Sequence, residues 1–167
     1  MGYRKIELKD LSFHPFEQIG KEWMLITAGN KEKFNTMTAS WGGVGVLWNK
    51  NVATIYIRPQ RYTKEFIDAG DTFSLTFFGK ECRDALTLCG RKSGRDCDKV
   101  KEAGLTPNFD FAAPTFEEGK LIFICKKLYA QELTPNSFLD NEIEKNYPNK
   151  DYHTMYIGEI LEVYQKD

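Results

Sequence analysis

The chain has 167 residues, within the roughly 100 to 200 residues of one ordinary domain, and a chain of this length buries about 70% of its unfolded surface on folding. Its 41% hydrophobic and 14% aromatic content excludes a disordered chain. A formal net charge of −1 excludes a general nucleic-acid binder, which would be clearly basic.

Residues 1–13 (MGYRKIELKDLSF) lack the apolar stretch of a secretory signal. No apolar run approaches the ~20 residues that span a bilayer, so a cytoplasmic protein without a membrane partner is expected. Residues 23–28 (WMLITA) form an apolar run closed by Gly29-Asn30, a strand followed by a turn. Residues 35–41 (NTMTASW), 44–48 and 52–57 (VATIYI) read as three consecutive strands, separated by Gly42-Gly43 and by Asn49-Lys50-Asn51. Residues 63–69 read as a short helix with Phe66 and Ile67 on one side and Gly70 at its end. Residues 72–78 (TFSLTFF) follow as a strand, residues 81–89 and 98–103 as short helices closed by Gly90 and Gly104, and residues 120–128 and 156–164 as strands. No repeat or linker interrupts this series. It predicts one mainly β domain over residues 1–167, an antiparallel barrel closed or nearly so, with a few short helices. Long helices in regular alternation with strands, the mark of a doubly wound sheet, are lacking.

Two segments carry candidate chemistry. Along residues 35–41, period-2 alternation puts Thr36, Thr38 and Ser40 on one face and Asn35, Met37, Ala39 and Trp41 on the other. Three hydroxyls in a row offer donors and acceptors without charge. The same pattern also describes a solvent-facing strand of good β-propensity. The second segment, Arg58-Pro59-Gln60-Arg61-Tyr62-Thr63, joins a strand to a helix. Thr63 is a candidate N-cap, and two arginines beside a helix start suit an oxyanion such as a phosphate, although a solvated turn with surface arginines has the same composition. Gly43-Val44-Gly45 begins a GxG, but Trp48 stands where the third glycine belongs and no helix follows, so a resident dinucleotide is not expected. Cys82, Cys89, Cys97 and Cys125 have no CxxC spacing and only His14 and His153 to join them. Free thiols are expected, and no metal site.

The run NTMTASWGGVGVLWNKNVATIYIRPQRYTKEFIDAGDTFSLTFFG resembles the core of the flavin-reductase-like FMN-binding proteins. These are split barrels that include flavin reductases, flavoredoxins and the reductase components of two-component monooxygenases. The resemblance covers about residues 20–80, where the TMT-x-S-W strand, the turn and the RP-x-R-x-T motif come in order. HTMYIGE at residues 153–159 is similar to the family's histidine-containing final strand. The resemblance implies a split β-barrel that pairs as a homodimer. It implies FMN contacts from Asn35, Thr36, Met37, Thr38, Ala39 and Ser40, with Trp41 bordering the ring. Arg58, Arg61 and Thr63 would then hold the 5′-phosphate or ribityl end. Residues 93–99 (SGRDCDK) resemble a loop that ends in Asp-Lys-Phe in the family, which makes Lys99 a further phosphate candidate, with Val100 in place of the phenylalanine. His153 is the catalytic candidate, beside the flavin or the nicotinamide, where it would give a hydrogen bond or a proton near neutral pH. The implied activity is hydride transfer from NADH or NADPH, a transient substrate, to flavin and on to an acceptor. The alternative is a non-enzymatic FMN electron carrier without a nicotinamide site.

Overall fold

The computed structural model describes residues 2–167. Seven strands form one continuous antiparallel path: β1 (Tyr3–Ile6) lies off it, and β2 (Met24–Gly29), β3 (Phe34–Ala39), β4 (Gly42–Leu47), β5 (Lys50–Ile57), β6 (Thr72–Phe77), β9 (Leu121–Glu132) and β10 (Thr154–Lys166) make it up. The order is β3-β2-β6-β9-β10-β5-β4, with β1 added along the far part of β10. The two ends of this path, β3 and β4, are consecutive in sequence yet do not pair with each other. The barrel is therefore split between them, and β3 keeps an open edge.

Alternation builds the interior. Phe73, Leu75 and Phe77 of β6 enter the main core, as do Leu121, Phe123 and Cys125 of β9 and Ala53, Ile55 and Ile57 of β5. The intervening residues of β9, Ile122 and Ile124, are also buried, in a separate outer cluster with Ala113, which is why residues 120–128 read as an unbroken apolar run. Register shifts between Ile157 and Gly158 and between Ile160 and Glu162 bend β10, as bulges do in closing sheets. At Gly158 an added Cβ would stand 2.6 Å from the Phe73 ring, so glycine makes room there for a core aromatic.

Among the described residues four α-helices accompany the sheet: α1 (Pro15–Gln18), α2 (Thr63–Ala69), α3 (Arg83–Arg91) and α4 (Lys99–Glu102). Helix α3 packs Ala85, Leu86 and Cys89 against Leu25 and Phe116, and Val100 joins this second cluster. A small ribbon, β7 (Pro107–Asn108) with β8 (Thr115–Phe116), closes it.

Most predicted elements recur within a few residues, and three local expectations are corrected. The β4–β5 hairpin turns on Trp48 and Asn49, both with positive φ (55° and 57°), and not on Asn49-Lys50-Asn51; this is the paired left-handed geometry of a tight hairpin. Thr63 does not cap α2: Tyr62 occupies the N-cap position, and Thr63 is the first helical residue with its side chain buried. Gly90 lies inside α3, which runs on to Arg91.

Candidate functional site

The split in the barrel exposes a cleft of about 220 Å³ whose floor is the Met37–Ser40 stretch of β3 and whose walls are Trp41, Tyr56, Arg58, Arg61 and His153. Side chains of both β3 faces border it, because the cleft lies along the open edge of the strand. An edge strand presents alternate backbone N–H and C=O groups without partners. Such an edge offers backbone groups to the cleft, and the expected hydroxyl track is only partly available. Thr36 is fully buried, its hydroxyl 2.8 Å from that of Thr27 and donating to the Ile26 carbonyl at 3.1 Å. Thr38 donates to the Leu86 carbonyl of α3. The three side chains do share a face, but α3 covers it. Only Thr38 and Ser40 reach the cleft.

A second hollow, about 170 Å³, opens on the other side of Arg61. It is lined by Arg61, Arg91, Lys92 and Lys99 together with Ser93 and Thr63, and among the described residues no carboxylate lines it. Arg61 donates through Nη1 to the Gly90 carbonyl at 3.0 Å, while its Nη2 is buried and has no partner among the described residues. Burial lowers the Arg61 pKa from its ordinary value. Lys99, 3% exposed, donates from Nζ to the carbonyls of Cys89 (3.1 Å) and Lys92 (3.2 Å). Burial, reinforced by the nearby Arg61 charge, pushes its pKa down to about 8. Both cations thus pay a desolvation cost that no resident anion offsets.

The hollow is held together from the β3 side. Asn35 is buried and donates from Nδ2 to the Thr63 hydroxyl at 2.8 Å, which ties β3 to α2. Gly94 lies so close that an added Cβ would stand 2.0 Å from Asn35 Oδ1. Arg95 fixes the same loop to α2, pairing with Glu65 at 2.9 Å and lying 4.6 Å over the Tyr62 ring. Asn35 therefore supports the site from behind and Thr63 lines the hollow, while neither lines the cleft itself.

The two arginines of the RP-x-R-x-T segment part company. Arg58 is already engaged: its guanidinium pairs with Asp151 at 3.1 Å, donates to the Asn146 carbonyl at 3.1 Å and lies 4.9 Å over the Tyr147 ring. It anchors residues 133–152 to the sheet. His153, 7% exposed, stands 5.1 Å from the Trp41 ring and hydrogen-bonds through Nδ1 with the Tyr147 hydroxyl at 2.7 Å. Burial, with a smaller effect from Arg58, pushes its pKa down to about 4. Burial thus disfavours the charged imidazole, against the expectation that it gives up a proton near neutral pH, and favours a neutral ring that offers one N–H and one bare nitrogen.

Sequence reasoning missed Tyr56, Tyr147 and Asp151. Tyr56 was within reach, since it shares a strand face with Arg58 two residues on. Tyr147 and Asp151 belong to a stretch without hydrophobic periodicity and gave no signal.

The buried lysine has a measurable consequence. With a folded-state pKa near 8, against an ordinary value of 10.5, the unfolded chain retains a proton between those values that the fold has released, so stability rises with pH across that window. Below pH 8 the cost of the buried charge is present in full. The flavin-free protein is expected to gain melting temperature between pH 8 and 10 relative to a Lys99→Met variant. Parallel pH profiles for the two proteins would contradict it.

The fold recurs among solved structures. A flavoredoxin from Methanosarcina acetivorans superposes with a TM-score of 0.67 at 22% identity, covering 87% of this chain and 69% of that one. An FMN-binding domain of a flavin reductases-like enzyme from Shewanella baltica gives 0.70 at 17% identity, covering 98% and 77%. A Streptomyces globisporus NADH:FAD oxidoreductase, in complex with NAD and FAD fragments, gives 0.63 at 16% identity, covering 87% and 74%. At these identities the likeness establishes the split-barrel fold. A search of curated proteins finds no match. The family model described as Flavin reductase like domain matches residues 16–167, nearly the whole chain, and the protein belongs to that family.

Proposed function

We propose that this chain binds FMN across the split in the barrel and passes hydride from NADH or NADPH through it to an acceptor. One observation carries the reading: Arg61 and Lys99 are two inward-facing cations with no carboxylate between them, beside an open strand edge. A phosphate fits that pair, since a dianion takes charge-assisted hydrogen bonds from both. The free Nη2 of Arg61 is a donor without an assignment until such a group arrives.

In this reading Arg61 and Lys99 hold the phosphate, Ser93 and Thr63 border it, and the backbone edge of Met37–Ser40 meets the ring system. FMN, when bound, supplies hydride acceptance and onward electron transfer, chemistry that no side chain here provides. The chain's own residues bind and orient. Trp41 and Tyr56 give apolar walls, and neutral His153 presents a hydrogen bond without bringing a charge to the cleft. Val46 and Trp48, 75% and 51% exposed on the β4–β5 hairpin, favour burial against a second copy, which supports a homodimer.

Stopped-flow mixing of the FMN-loaded protein with NADH and with NADPH tests the reductase activity. Bleaching of the flavin absorbance within seconds by one of the two is the expected result. A flavin that binds but stays oxidised for minutes with both would overturn the reductase reading and leave an electron carrier.

A further inference from the structure

We propose that Tyr147 is a positioning residue: its hydroxyl donates to His153 Nδ1, which fixes the imidazole proton on Nε2 and turns it into a hydrogen-bond donor for an acceptor atom of the ligand in the cleft. The identity of that ligand rests on the flavin reading above; the tautomer does not.

The geometry is specific. Tyr147 and His153 are both buried, 5% and 7% exposed, and their polar atoms are 2.7 Å apart. A neutral imidazole has one N–H and one bare nitrogen, and the partner at one ring nitrogen decides where the proton sits. Nδ1 of His153 is the one hydrogen-bonding partner of the Tyr147 hydroxyl among the described residues, so no other acceptor competes for its proton. Its single proton is therefore left for Nδ1. Nε2, on the far side of the ring, has no protein partner among the described residues, and the ring borders the cleft while Tyr147 does not. Tyr147 has little freedom to turn away: Phe138 stacks on it at 6.0 Å, Tyr152 packs at 4.9 Å and Arg58 covers it at 4.9 Å. The charged groups nearest the imidazole are Arg58 and Asp151, and these pair with each other. Trp41 of the β3–β4 connection and Tyr56 of β5 bring only uncharged rings. The donor therefore keeps one protonation state across the neutral range.

The test is long-range ¹⁵N–¹H NMR of the flavin-free protein labelled at histidine. The chain has two histidines, and a His14→Gln variant assigns the spectrum. The expected result is a His153 pattern of the Nε2–H tautomer, constant from pH 5.5 to 8. In Tyr147→Phe, which keeps the ring and loses the hydroxyl, the pattern is expected to shift toward a mixture of tautomers. With FMN loaded, reduction by the preferred nicotinamide nucleotide is expected to slow about threefold to tenfold, the worth of one hydrogen bond.

An Nδ1–H tautomer in the parent protein overturns the inference, as does a folded Tyr147→Phe with an unaltered tautomer. A shifted tautomer with an unchanged reduction rate overturns the donor role. Should Tyr147→Phe fail to fold, the parent spectrum still decides. A protein with the expected tautomer that takes up no FMN sinks the flavin reading and leaves this one standing.

Discussion

Arg61→Ala is expected to weaken FMN binding about 10-fold to 150-fold, corresponding to about 1.5–3 kcal/mol for a lost hydrogen bond to a charged group. The Arg61 guanidinium has one arm on the Gly90 carbonyl and the other, Nη2, buried without a partner, so its contribution appears only when an anion is present. Riboflavin, which lacks the phosphate, is expected to bind the variant and the parent equally. The substitution also removes the charge that helps to depress Lys99, so the lysine pKa should rise in the variant. Arg58→Ala should behave differently. Its partners are Asp151, Asn146 and Tyr147, so it is expected to loosen residues 133–152, seen as faster proteolysis there, with a smaller change in FMN affinity. Isothermal titration of both variants with both flavins checks the contrast. An Arg58→Ala loss exceeding that of Arg61→Ala would reverse the assignment.

Phe73→Ala is expected to destabilise the fold by about 3–5 kcal/mol, the usual cost of emptying a buried aromatic site. Phe73 is fully buried, pairs with Cys125 of β9 in the sheet register, and fills the space that Gly158 of β10 leaves open. The cavity would open between three strands that cannot collapse independently. Because His153 immediately precedes β10, a looser β10 would also disturb the cleft wall. Gly158→Ala attacks the same contact by overfilling, with an expected cost of about 1–3 kcal/mol. Urea denaturation measures both. A Phe73→Ala midpoint close to that of the parent would contradict this account of the core.

Most strands of the sheet were legible in the sequence. Residues 52–57 and 72–78 read as strands from their composition and flanking turns, and they recur as β5 and β6. Tyr3–Ile6 was not legible, because YRKI has no apolar alternation and pairs as an addition to the end of β10. The site shows the same division. That Thr36, Thr38 and Ser40 share a face follows from the pleat; that α3 covers the face depends on packing between distant segments. Likewise, two arginines three residues apart look equivalent in sequence. Arg58 finds Asp151, far along the chain, and Arg61 turns inward toward Lys99. Residues 133–152 carry no period of either kind, so the Tyr147–His153 contact had no sequence signal.

The most direct test of the central claim is a fluorescence titration of the flavin-free protein with FMN and with riboflavin in one buffer at pH 7. A phosphate seated between Arg61 and Lys99 requires FMN to bind at least about tenfold more tightly, one charge-assisted contact's worth. Equal affinities, or no quenching by FMN at all, would contradict it.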